Sequence, residues 1–149
     1  MRNRLILVVF GGFVTLVLLA GCGPAKYTPK PNEEIYGTWT HEGIKWQKLV
    51  VSVGGTKMYT GLADANPAME SKEQISAKWK DADGNIWYKT LELFTSGPLK
   101  DLKGQYLWKI SKGSQIELTG EFVKEFNEKR FPVDLTSDRN ADHRIYQKQ

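Results

Sequence analysis

From Tyr36 onward, short runs of alternating apolar and polar residues are separated by turn-forming residues. A period of two places successive side chains on opposite faces of a strand. Tyr36 to Thr40 opens the series, and Lys48 to Val53 follows, β-branched and running into Gly54-Gly55, a favoured hairpin pair, before Thr56 to Thr60. In Gln74 to Lys80, the pattern sets Ile75, Ala77 and Trp79 on one face and Ser76, Lys78 and Lys80 on the other. Asp81-Ala-Asp-Gly84 turns the chain into Asn85 to Leu93. Tyr106, Trp108 and Ile110 share a phase in the next run, as do Ile116 and Leu118 in the one after it, and His143 to Gln147 is the last. The pattern predicts an all-β fold of about eight antiparallel strands, an up-and-down meander closing into a small barrel. Closure removes exposed edges, and eight strands enclose room for side chains or one small ligand. A flattened sandwich is the competing architecture. Helical signals are confined to Ala68 to Gln74, read as a turn or two after Pro67, and to a short helix near 122–128, where Phe122 and Phe126 stand four apart before Phe131-Pro132.

The first residues follow a different pattern. Arg2 and Arg4 precede an apolar run from Leu5 to Ala20, which leads into Leu19-Ala20-Gly21-Cys22. A basic flank, a short apolar stretch and small residues before a cleavage point make an export signal. Leu19-Ala20-Gly21-Cys22 resembles the lipobox of bacterial lipoproteins. The resemblance implies cleavage after Gly21 and acyl chains on Cys22, so residues 1–21 are a signal peptide. Cys22 is the sole cysteine, which excludes an intrachain disulfide. Two or three acyl chains suffice for stable anchoring, at about 0.8 kcal/mol per buried CH₂. The implied address is the cell envelope. In a host with two membranes the default is the outer one, facing the periplasm or the surface. Residues 22–34 carry three prolines and few apolar side chains, which reads as a lipidated, extended tether reaching up to about 40 Å. Residues 35–149 are the barrel domain.

Removing residues 1–21 from the 149-residue chain leaves 128, one domain's worth. Arg2 and Arg4 leave with the signal, so basic residues fall from 21 to 19 against 17 acidic ones, and the pI of 9.1 overstates the mature charge. That balance argues against a nucleic-acid partner. All five Trp and six Tyr stay in the mature part and are expected to supply much of the core.

Gly37-Thr38-Trp39 at the first strand is similar to the Gly-x-Trp of lipocalins. The resemblance implies that Trp39 closes one barrel end and that a basic residue of the last strand, here Arg144, packs across it as a cation–π partner. Gly37, Trp39 and Arg144 would then be fold-closing residues.

The ligand-pocket candidates are Trp46, Met58, Trp79, Trp87, Tyr88, Tyr106 and Trp108. An apolar interior with a few polar tips suits a small apolar or amphipathic ligand. The competing expectation is that these rings fill the interior, leaving an envelope protein–protein interaction module with no ligand. Asp81-Ala-Asp83-Gly84-Asn85 has oxygen donors at alternate positions, but Ile86 and not glycine stands sixth, so a β-turn is favoured over a calcium loop. His41 and His143 are the only imidazoles, and no nucleophile elbow, phosphate cradle or metal-ligand spacing is present. Neither a cofactor nor a metal is expected, and a small hydrolase or isomerase using His41 or His143 ranks last.

Overall fold

The computed structural model describes residues 27–61, 66–112, 114–132, 134–135 and 144–149. Eight strands follow in chain order: β1 (Gly37–His41), β2 (Gln47–Ser52), β3 (Gly55–Thr60), β4 (Met69–Lys80), β5 (Ile86–Phe94), β6 (Lys103–Ser111), β7 (Gln115–Val123) and β8 (Arg144–Lys148). Each pairs antiparallel with the next, and β8 returns to β1 through Thr40↔Gln147 and His41↔Tyr146, so the sheet is a closed barrel. The expected all-β, up-and-down architecture is the one found, and the sandwich is not.

Alternation explains most of the interior. Leu49 and Val51 of β2, Tyr88 and Thr90 of β5, Trp108 and Ile110 of β6, Ile116 and Leu118 of β7 and Tyr146 of β8 are all buried. Tyr106 needs a device of its own. Its ring lies across Gly104 and Gly120, where an added Cβ would come within 2.3 Å and 2.0 Å of ring atoms. Glycine at both places lets an aromatic cover backbone that a side chain would otherwise occupy.

Two stretches depart from the predicted elements. Residues 69–74 are strand, not a helical turn, because Met69, Ser71 and Glu73 continue inward in phase with Ile75. Their polarity hides the period. The 122–128 region is not a helix either: β7 runs through Phe122 to Val123, and a single 3₁₀ turn forms at Glu128–Arg130, capped by Asn127.

A β-bulge between Ile75 and Ala77 changes the phase of β4. The extra residue, Ser76, flips every side chain after it. Lys78 consequently pairs opposite Tyr88 on the inner face, while Trp79 pairs opposite Trp87 on the outer face.

At the end where β1 begins and β8 finishes, the preceding segment folds over the opening. Ile35 is fully buried there, its carbonyl accepting a 2.9 Å bond from Trp39 Nε1, and Glu33 is buried beside it. Residues 27–34, read as tether, are therefore in part docked to the domain. On the outside, the chain after β7 straps β5 and β6: Gln105 exchanges two bonds with the Asn127 backbone, at 2.7 and 2.8 Å, and Phe131 is buried under Lys89.

Candidate functional site

The interior retains a cavity of about 70 Å³ toward the end opposite the plug, where β3 and β5 finish and β4 and β8 begin. Drug-sized ligand sites run to about 300–1,000 Å³, so this space suits a few waters or a small group. Its wall is mostly apolar, from Leu49, Met58, Phe94 and Leu118, with Thr56, Glu70, Ser71, Glu92 and Arg144 among its polar members.

The pocket candidates separate into three groups. Met58, Tyr106 and Trp108 line the cavity, and Trp108 Nε1 is satisfied by Thr90 Oγ1 at 2.8 Å. Tyr88 points inward at the plugged end, where its hydroxyl meets Glu33 and Glu34. Trp79, Trp87 and Trp46 are not in the pocket. Trp79 and Trp87 stack on the outer surface, rings parallel to within 8° and centroids 5.9 Å apart, because the bulge reverses the phase of β4. Trp46 sits in the β1–β2 connection, 47% exposed, where Gln47 N–H bonds back to the Ile44 carbonyl.

Trp39 is fully buried at the closed end, and the cation 5.2 Å from its ring centroid is Lys148, not Arg144. Lys148 is the register partner of Trp39 on β8. Arg144 is four residues away on the same strand and reaches the cavity instead, with Nη1 4.0 Å from Met58 Sδ. Gly37 lies under Lys148 at φ +142°, and an added Cβ would meet the lysine Cε at 3.5 Å. Cys22 and His143 lie outside the described residues. His41 serves local structure, its Nδ1 accepting from Gly43 and Ile44 N–H groups and its ring edge meeting Tyr146. Asp81 caps its turn, taking bonds from Trp87 Nε1 and Asn85 that hold its carboxyl down at about 2.

Two groups of carboxylates escape the sequence reading. At the plugged end, Glu33 accepts from Tyr27 at 2.6 Å, Lys30 N–H at 2.7 Å, Tyr88 at 3.0 Å and Lys78 at 2.7 Å, while Glu34 accepts from Lys78 and Tyr88 at 2.5 Å. Burial works to raise the Glu33 carboxyl, but these donors together outweigh it and hold it down at about 2. Burial and the neighbouring carboxylates push the Tyr88 hydroxyl far up. In mid-barrel, Glu73 and Glu92 face each other across β4 and β5. Glu73 accepts from Thr56, and Glu92 accepts from Ser71 at 3.0 Å. Burial raises both carboxyls well above the usual range, and for Glu92 the neighbouring Glu73 adds to it. The signal was the inward phase these glutamates share with Ile75 and Thr90, but polarity argued against reading it.

A shallow open hollow of about 350 Å³ lies on the outer face between Ala77, Trp79, Lys89, Leu107 and Pro132. Among the described residues, no group of three His, Cys, Asp or Glu is placed to hold a metal. The chain matches no protein-family model, no curated protein and no solved structure.

Proposed function

We propose that this protein is a lipid-anchored component of the bacterial cell envelope whose barrel acts as a solid interaction module, presenting its outer face to an envelope partner. One observation carries the reading: the aromatic side chains are divided so that the interior keeps only about 70 Å³, while the Trp79–Trp87 stack faces outward beside a hollow of about 350 Å³. Lys109 lies 5.7 Å from the Trp87 ring centroid, and Lys89 borders the hollow. Tryptophan flanked by long basic side chains is a composition suited to a binding hot spot. The Leu19-Ala20-Gly21-Cys22 box supports the anchor.

Replacing Cys22 by Ala is expected to move the chain from the detergent phase to the aqueous phase on partitioning. Retention in detergent would refute the acyl anchor. For the module, a photo-crosslinker at position 79 in intact host cells is expected to give a discrete adduct that Trp87→Ala abolishes.

A second reading, binding of a small apolar or amphipathic ligand, draws on the Leu49, Met58, Phe94 and Leu118 wall of the cavity. It requires the interior to widen. Native mass spectrometry of the full chain from host membranes, retaining a stoichiometric small molecule while position 79 gives no adduct, would transfer the function to this reading.

A further inference from the structure

The mid-barrel pair of glutamates poses a physical problem that the module reading leaves untouched. Glu73 and Glu92 are register partners, so their Cβ atoms stand about 4.5–5.5 Å apart on the inner face. Two ionised carboxylates at that spacing, away from water, repel each other and lose their hydration. A barrel that needed only to be solid would place apolar side chains there, as it does at Ile75 on one side and Phe94 on the other.

Three features point to an absent positive partner. Glu73 Oε1 is buried with no hydrogen-bond partner, although Oε2 of the same group is bonded to Thr56. The hydroxyls of Thr56 and Ser71 approach the two carboxylates from β3 and β4, and both residues are over nine-tenths buried. The cavity borders Thr56, Ser71 and Glu92, leaving room for water to complete a coordination sphere.

We propose that Glu73, Glu92, Thr56 and Ser71 form a buried site for a hard divalent cation, with calcium as the ion that fits best. Four carboxylate oxygens and two hydroxyls make a six-oxygen set, and two ionised glutamates match a charge of +2. Calcium accepts six to eight oxygens in adaptable geometry, whereas magnesium requires a stricter octahedron and sheds water reluctantly. Arg144, Tyr106, Tyr146 and Glu70 are the other titratable groups on the cavity wall, from β8, β6 and β4, and the Glu70 carboxylate is paired with Lys57 at 3.0 Å. The Arg144 charge disfavours a cation until both glutamates ionise, so binding must displace protons from the pair. Without the ion, protons are the substitute that keeps both carboxyls inside the barrel.

The test uses the full chain in detergent after chelation, at pH 7.5, titrated with calcium chloride and separately with magnesium chloride. Thermal unfolding is expected to shift upward by roughly 5–10 °C at a hundredfold excess over Kd. Calorimetry in two buffers of different ionisation enthalpy should show one to two protons released per calcium ion. The Glu73→Gln/Glu92→Gln variant should lose both responses while unfolding, in chelator, at or above the wild-type temperature. Ser71→Ala, a milder change, should weaken calcium binding about tenfold, which keeps the test decisive should the double variant fail to fold. Absence of any shift at 10 mM calcium up to pH 8, or an undiminished shift in either variant, would overturn the site and leave the pair as a proton store only.

Discussion

The plugged end and the middle of the barrel each hold two glutamates, Glu33 and Glu92 being the most deeply buried of each pair, and the protein treats them in opposite ways. Glu33 and Glu34 come from one short segment and converge on a single cation, Lys78, with Tyr88 and Tyr27 supplying further donors. Glu73 and Glu92 come from neighbouring strands and converge on each other, with one hydroxyl apiece. The first pair is held down, and the other pair is driven up. Glu33 and Glu92 are both buried yet shift in opposite directions, so partners decide the outcome. Removing one member of a satisfied cluster strands its neighbours, whereas removing one member of a repelling pair relieves them.

The contrast breaks most severely at Lys78. Lys78→Met leaves Glu33 buried without its cation and is expected to cost about 3 kcal/mol, toward the low end because Lys78 keeps some solvent contact. Urea denaturation would measure it, and an unchanged midpoint would show that the plug contributes nothing to stability. Glu33→Gln should cost about 1–3 kcal/mol at pH 7. The Glu33 carboxyl is depressed on folding, so its contribution is complete above the unfolded value near 4.5 and disappears as pH falls through about 2. The deficit of Glu33→Gln should accordingly close in acid.

Glu92→Gln runs the other way. Because folding raises the carboxyls of the pair, the native state binds more protons than the unfolded chain above about 4.5, and stability declines as pH rises through that window. In chelator at pH 8 the variant should gain about 1 kcal/mol, and the gain should vanish near pH 4. A loss of stability at pH 8 would contradict the repulsion. The smallest effect is expected at an uncharged control on the outer face. A double-mutant cycle of Trp79→Ala and Trp87→Ala should give a coupling of about 0.5 kcal/mol, insensitive to pH between 4 and 8.

Most of the barrel could be read from alternation, because Val, Ile, Leu and Tyr mark the inward phase of β2, β5, β6 and β7. Legibility failed where the inward residue is polar. Ser71 and Glu73 disguised the first half of β4 as a helical turn, and nothing in the residue type of Glu92 marks it as an inward position of β5. It failed again at Ser76, since one inserted residue reverses a period of two and sent Trp79 outward and Lys78 inward. The basic partner of Trp39 fell on the expected strand but at Lys148, because register between first and last strands leaves no local trace. Glu33 finds Lys78 across 45 positions of sequence, a distance over which no short pattern carries information.

The docked N-terminal segment also bears on how the molecule would stand relative to the proposed anchor. With Tyr27 already bonded to Glu33, only five residue steps separate it from Cys22, a leash of roughly 17 Å at full stretch in place of the roughly 40 Å of a free tether. Fatty acids on that cysteine would hold the stoppered rim, with Lys78 and Trp39 behind it, down against the bilayer. The opposite mouth, bordered by Met58, Phe94 and Arg144, would then look out into the envelope.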